Sequence, residues 1–373
     1  MKKNRRDFLK LTGMAGISLA GNGLLRAASY QDAKTSKVNV DNAIARLENG
    51  SGISIPFWRV ESGRDGPSLA MIASQHGNEV QGAEVALRFK EICARELVAG
   101  TVWLIPMSNP LAVRSRRHSF NLGPEENNVL NPEKLHNMQR HWPGDPEGND
   151  TARLAYALDK TVLSSCSHLV DMHNWTHFNA AETLCEEKHE FSRQMGEVTT
   201  TRFISYRNLD IPEGGKMMVS QMIRQRGGSA MVMELSGQFQ MKERQVQIGV
   251  DSMINIAKML GMINGEPELI EGKRAIRNSD TSHEIKAPFS GIFMPAPGKD
   301  GLTNLMPDDY IEEGKLLGHI IRANDLQTIK VIAPVSGFIS KLGACHSGLC
   351  DASLPAQHPY AEEGEILACI VTV

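Results

Sequence analysis

Leu69-Ala70-Met71-Ile72-Ala73-Ser74-Gln75-His76-Gly77-Asn78-Glu79-Val80-Gln81-Gly82-Ala83-Glu84-Val85-Ala86-Leu87-Arg88-Phe89 is the stretch that decides the fold class. A short apolar run, Leu69 to Ala73, stops abruptly at a polar cluster, Ser74 to Glu79. A helical pattern follows, with Val80, Ala83, Ala86 and Leu87 on one face, and it runs to Gly100. The order is strand, tight polar turn, helix. In open α/β sheets chemistry gathers at the carboxyl ends of strands, so the turn is the place to look. It holds His76 and Glu79, an imidazole and a carboxylate suited to a shared zinc ion. Taken alone, the pair is a common pattern that a solvated turn also produces.

With 373 residues, 41% of them hydrophobic and 22% charged, the chain is globular and has room for two domains. A net charge of −3 gives no reason to expect nucleic acid as the partner. Aromatic residues make up only 5%, which argues against a nucleobase-stacking platform.

Residues 1–28 read as a signal peptide rather than as part of the fold. The start is basic, a modest apolar stretch runs from Leu11 to Leu25, and small residues follow at Ala27-Ala28-Ser29. This stretch is too short and Gly-rich for a stable membrane span. Arg5-Arg6-Asp7-Phe8-Leu9-Lys10 resembles a twin-arginine signal, which implies export to the periplasm. No later stretch could span a bilayer, so a membrane anchor is not expected.

Further runs repeat the opening theme. Asn42 to Leu47 reads as a helical start and Ile53 to Val60 as a strand. Thr101 to Met107 ends in Ser108-Asn109-Pro110, His168 to His173 carries Asp171, and Ser229 to Leu235 carries Glu234. Between Ala112 and Asp150 lies a long polar segment with Arg114, Arg116, Arg117 and Arg140, a length that points to a functional loop. Helices are expected from Asn149-Asp150 and from Val246 to Leu260. Four strands ending in His-x-x-Glu, Asn-Pro, Asp-x-His and Glu make a pattern that no single motif supplies.

Beyond a linker at about residues 265–282 the periodicity changes and an internal repeat appears. Ala287-Pro288-Phe289-Ser290-Gly291 recurs as Ala333-Pro334-Val335-Ser336-Gly337, and Tyr310-Ile311-Glu312-Glu313-Gly314 as Tyr360-Ala361-Glu362-Glu363-Gly364. Short strands between Gly and Pro turns, in two copies, argue for a small pseudo-symmetric all-β domain. It resembles the barrel-sandwich hybrid domain of biotinyl and lipoyl carriers. Those carriers need a Lys at the hairpin tip between the repeats, where this chain has Asn324-Asp325-Leu326-Gln327. The domain therefore reads as a structural or oligomerisation module, with a homo-oligomer among the expected partners.

As an ordered set, His76-Gly77-Asn78-Glu79, Asn109-Pro110, Arg140-His141-Trp142-Pro143-Gly144, Asp171-Met172-His173 and Glu234 resemble the succinylglutamate desuccinylase/aspartoacylase family. The resemblance runs from about residue 55 to about residue 260. One departure is Gln139, which stands where the family shows Asn before its Arg. The resemblance implies a zinc carboxypeptidase-like mixed sheet flanked by helices over residues 29–268, followed by the all-β domain over residues 280–373. It implies an amide-cleaving zinc hydrolase with one Zn2+ per chain, acting on an N-acyl amino acid or a short peptide. Carboxypeptidase action on peptide or cell-wall fragments stays open beside it, as does a non-catalytic envelope binding module.

The residue chemistry is consistent with that. A hydrolytic zinc takes three protein ligands and keeps one position for water, and His76, Glu79 and His173 supply two imidazoles and a carboxylate. Glu234 is the candidate general base and acid. Asp171, two residues before His173, points to the same side of a strand and could orient the imidazole. A guanidinium grips a substrate carboxylate bidentately; the family resemblance implies one Arg on that carboxylate and another near the scissile carbonyl, matched best by Arg117 and Arg140, with Arg114 and Arg116 as close competitors. Among the cysteines, Cys93, Cys166 and Cys369 read as small buried residues. Cys345 and Cys350 are a candidate disulfide formed after export.

Overall fold

The computed structural model describes residues 36–120, 136–212, 215–344 and 359–373. The signal segment, the middle of the polar loop and the Cys345–Cys350 pair lie outside the described residues. Among the described residues, nine strands form one mixed sheet in the order β1 (Lys37–Arg46), β2 (Gly52–Glu61), β4 (Thr101–Ile105), β3 (Ser68–Ala73), β5 (His168–Trp175), β8 (Ser229–Ser236), β6 (Glu182–Glu186), β7 (Phe203–Arg207) and β9 (Ala275–Ile276). The expected mixed sheet flanked by helices, with antiparallel sheets behind it, is what the chain forms.

At one edge, β1 (Lys37–Arg46) pairs antiparallel with β2 (Gly52–Glu61). This corrects the helical start expected over Asn42–Leu47. Asn49-Gly50 is a strong hairpin signal, and Gly50 takes a φ of 80°. The alternation that buries Ala43 and Ala45 is the period of a strand.

The centre of the sheet is parallel: β3 (Ser68–Ala73), β4 (Thr101–Ile105), β5 (His168–Trp175) and β8 (Ser229–Ser236). Covered on both faces, these strands carry apolar runs with polar residues toward the carboxyl ends of β5 and β8; every residue of β8 is buried. From β3 the chain crosses through α1 (Gln81–Glu96) to β4 on one side, and later reaches β5 on the other. The carboxyl ends of β3 and β5 therefore flank a topological switch point, the usual crevice for ligands in such sheets.

Two apolar cores lie on opposite faces of the sheet. One is built from Val85, Ala86 and Phe89 of α1 with Val246, Val250 and Met253 of the long helix Glu243–Met259. The other uses Leu154, Ala155 and Leu158 of the helix Asp150–Thr161 with Val219, Met222 and Ile223 of the helix Val219–Gln225. The buried face of α1 is Gly82, Val85, Ala86, Phe89 and Cys93, while Leu87 is exposed. That corrects both the expected face and the expected end at Gly100. The cause is Gly82: a Cβ there would lie 2.6 Å from the Ala73 Cβ. The helix rolls so that its bare position meets the strand. Asn149 caps the helix Asp150–Thr161, as expected, by accepting from the Ala152 amide.

Among the described residues, the C-terminal part forms two four-stranded antiparallel sheets around one core: β10 (Ser282–Lys286), β17 (Ile366–Val371), β15 (Gly337–Leu342) and β12 (Tyr310–Ile311) in one, and β14 (Thr328–Ile332), β13 (Leu316–Arg322), β11 (Gly291–Pro295) and β16 (Tyr360–Ala361) in the other. The repeat explains their symmetry. β12 (Tyr310–Ile311) pairs with β15 (Gly337–Leu342), and β16 (Tyr360–Ala361) pairs with β11 (Gly291–Pro295). Each Ser-Gly corner serves the other repeat's turn: Ser336 Oγ accepts from Glu313 N, and Ser290 Oγ from Glu363 N. β15 also docks on the segment that follows β5, where Phe178 O accepts from Leu342 N and Ser340 O from Ala180 N. The all-β part thus braces the chain a few residues beyond His173.

Candidate metal centre

The turn after β3 is shaped by close backbone contacts. Ser74 adopts a φ of 52° and its hydroxyl donates to Glu79 O, closing the turn. Gly77 N donates to Arg117 O at 2.8 Å, and a Cβ on Gly77 would sit 1.9 Å from Ala112 O. Only glycine fits there, because backbone rather than a movable side chain occupies the space. The turn is thereby pressed against the helix Pro110–Ser115, whose Asn109 cap also donates from Nδ2 to Gln75 O.

This folding brings His76, Glu79 and His173 together. Their ligand atoms all lie within 4.8 Å of one another and all three residues are buried. His76 Nδ1 is 2.9 Å from Glu79 Oε1, and His173 Nδ1 is 2.8 Å from Glu79 Oε2. Both rings thus turn Nδ1 inward. Outward, His76 Nε2 meets Asn137 Oδ1 at 3.0 Å and His173 Nε2 meets Asp171 Oδ1 at 3.0 Å. A neutral imidazole carries one N–H. If the outer nitrogens donate it, two bare nitrogen lone pairs face a carboxylate at hydrogen-bond distance. A divalent cation among the three removes that conflict, and two imidazoles with one carboxylate are a zinc donor set. The residues fit the metal.

Without metal, the buried group is held by its own charges. Burial works to raise the Glu79 pKa, but the charges of His76 and His173 and their hydrogen bonds prevail and hold it well below the carboxylate range. Burial likewise opposes charge on His173, yet Asp171 and Glu79 push its pKa well above the ordinary histidine value. His118 stacks on His76 with ring centroids 3.6 Å apart. Lost hydration, reinforced by His76, drives His118 down to about 3, so it is neutral near pH 7.

Glu234 stands beside this group. On the parallel pair β5–β8 it is in register with His173, and on its other side it faces Glu182 of β6 (Glu182–Glu186). Burial pushes its pKa well above the carboxylate range, and the Glu79 and Asp171 charges add to the rise against His173 and a Trp175 hydrogen bond. Its Oε2 is buried without a hydrogen-bond partner among the described residues. Glu182 is occupied elsewhere, by Ser205 and by Arg277 at 2.6 Å. Of the two candidate arginines, Arg117 is half-buried beside the Gly77 turn, whereas the Arg140 side chain is exposed. Several contacts were not visible in the residue pattern. Asn137, Gln75 and Gln238 reach the site only through the folded loops, Gln238 by donating to Glu79 Oε1 at 3.1 Å.

The model of the succinylglutamate desuccinylase/aspartoacylase catalytic domain matches residues 65–260. The chain belongs to this family. Family members are deacylases acting on N-acyl amino acids. The N-alpha-acetyl-L-2,4-diaminobutyric acid deacetylase of Halomonas elongata is 27% identical over 123 residues, a segment spanning 33% of this chain and 32% of that relative. Solved structures extend the likeness of fold over nearly the whole chain. An aspartoacylase family protein of Mesorhizobium loti is 18% identical with a TM-score of 0.65, covering 92% of this chain and 97% of its own. The product-bound ectoine utilization protein of Ruegeria pomeroyi is 15% identical with a TM-score of 0.62, covering 90% and 95%.

The buried charge pattern makes a prediction for the metal-free protein. The lowered Glu79 pKa contributes stability that is complete above its ordinary value of 4.5 and is lost as pH falls toward the folded-state pKa. The raised His173 pKa contributes stability that is complete below 6.5 and is lost as pH rises through the folded-state pKa. In chelator-treated protein, the melting-temperature advantage over Glu79→Gln should therefore peak between these values and shrink on both sides. A gap that stays constant across pH contradicts the buried triad.

Proposed function

We propose that the chain is a zinc-dependent hydrolase that cleaves the amide bond of an N-acyl amino acid or a related carboxylate-bearing substrate. The observation that carries this reading is the buried His76–Glu79–His173 group with Glu234 beside it. His76, Glu79 and His173 would hold one Zn2+ per chain. When bound, zinc supplies a Lewis acid and lowers the pKa of its water toward about 7.

The chain's own residues then have separate work. Asn137 and Asp171 hold the outer nitrogens of the two imidazoles and fix their orientation. Glu234 takes a proton from the attacking water and hands it to the departing amine nitrogen. Burial, with the Glu79 and Asp171 charges, favours the protonated form, which suits a carboxyl that must alternately hold and release a proton. Arg117 and Arg140 are proposed to grip the substrate carboxylate. Arg117 lies against the metal-binding turn, and Arg140 would serve from the loop rim. The name of the Halomonas relative, a deacetylase of an N-acetylated diamino acid, supports an N-acyl amino acid over a peptide. Export to the periplasm is proposed from Arg5-Arg6 and the apolar stretch after them. Among the described residues, no helix is long and apolar enough to cross a membrane.

Glu234→Gln should bind zinc and melt as the parent does while losing about 10²–10⁴-fold in kcat on N-acyl amino acids. Full turnover in a zinc-loaded, normally folded Glu234→Gln protein would falsify the assignment. For the arginines, Arg117→Ala and Arg140→Ala should chiefly harm substrates bearing a free carboxylate and cost an amidated counterpart little. Equal losses on both substrates would make the arginines structural. Arg117→Lys should restore little, since an ammonium cannot reproduce the planar fork.

A further inference from the structure

Trp142, wholly buried, donates its indole N–H to Gln75 Oε1 at 2.8 Å. An indole nitrogen can only donate, so the orientation of the Gln75 amide is set from outside. Its Nε2 must face the other way, where it donates to Asp171 Oδ1 at 2.6 Å. The same oxygen lies 3.0 Å from His173 Nε2. The two nitrogens, 3.4 Å apart, converge on one acceptor. The reversed amide would press a carbonyl oxygen against the carboxylate and an NH2 group against the indole N–H. Both contacts are repulsive, and all four side chains are buried away from water that could relieve them.

We propose that Gln75 and Trp142 are positioning residues of the metal centre. Acting through Asp171, they hold His173 as the Nε2–H tautomer with Nδ1 presented to the ion. The inference rests on the zinc reading above and extends it beyond the residues that touch the ligands. It also gives the loop a role other than substrate contact. The segment that supplies Trp142 supplies Asn137, whose Oδ1 meets His76 Nε2 at 3.0 Å. One short stretch thus orients both imidazoles: Asn137 directly, Trp142 through Gln75 and Asp171. That stretch is anchored from the other side, where Trp142 and Met217 exchange backbone hydrogen bonds in both directions.

The test uses the full chain and zinc itself. Trp142→Phe keeps aromatic bulk but removes the N–H, and Gln75→Met keeps length but removes the amide. Chelator competition should show each variant binding zinc about 10–100-fold more weakly than the parent, the usual effect of losing a partner behind a ligand. Because both changes break one relay, the double variant should be no weaker than Gln75→Met alone. With metal removed, and at a pH above the raised folded-state pKa of His173 so that the ring is neutral, nitrogen-15 spectra should show His173 as a single Nε2–H tautomer in the parent and as a tautomer mixture in the variants. Unchanged zinc affinity in Gln75→Met overturns the relay, and so does a double variant whose loss is the product of the single losses. Should Trp142→Phe not fold, Gln75→Met and its His173 spectrum decide alone. A parent protein that takes up no zinc removes the zinc reading together with this inference. Zinc affinity retained by the variants removes the relay only.

Discussion

Burial of the Glu79 carboxylate between two imidazoles is the constraint on which the rest of the site depends. An unpaired buried charge is costly, and removing one partner of a buried pair leaves the other uncompensated. Here the cost is offset on every side: His76 and His173 on the two oxygens, the Asn174 amide on one, and Gln238 on the other. Each of those groups must in turn be held. The parallel register of β3 with β5, Ile72 against Asp171 and Ala73 against Met172, sets the height of His173 relative to the turn. Gly77 lets that turn press against the Pro110–Ser115 helix, and the loop through Trp142 closes the far side. The metal ligands lie at the meeting point of three loops from otherwise separate parts of the fold.

The same arrangement divides work between neighbouring carboxylates. Glu79 is surrounded by hydrogen-bond donors and is held ionised, whereas Glu234, one strand away from His173, has a buried oxygen without a hydrogen-bond partner among the described residues and resists ionisation. Environments that separate the pKa values of adjacent acids mark distinct chemical roles. Glu182, opposite Glu234, is neutralised by Arg277, whose guanidinium also lies over the Trp175 ring. That keeps a third carboxylate from adding its charge to the pair.

Much of this was legible in the sequence because the central strands are short apolar runs ending in polar clusters. Those ends named His76, Glu79, Asp171, His173 and Glu234 before any geometry, and the structure places them together. The repeat after residue 282 likewise announced two equivalent halves, which the exchanged Ser290 and Ser336 contacts now explain. What could not be read was set by tertiary contact. The Asn42–Leu47 segment has helix-compatible composition, but an Asn-Gly turn and a ten-residue ladder to β2 make it a strand. The face of α1 is decided by where Gly82 meets Ala73, which helical periodicity leaves open by a position or so. Gln75 and Trp142 lie in stretches that residue order picked out, but their contacts, like those of Asn137, carry no local signal, because each partner lies far along the chain. The two arginines stand between these cases: residue order suggested both, and the fold sets Arg117 beside the Gly77 turn while Arg140 is exposed.

The most direct test of the account is an anomalous difference map from crystals of the zinc-loaded chain, recorded on both sides of the zinc absorption edge. The account predicts a single strong peak bonded through His76 Nδ1 and His173 Nδ1 at about 2.0–2.1 Å, with Glu79 as the third protein ligand. The outer nitrogens should remain on Asn137 and Asp171. A peak at other residues, or no peak at this group in crystals that contain zinc, would contradict it.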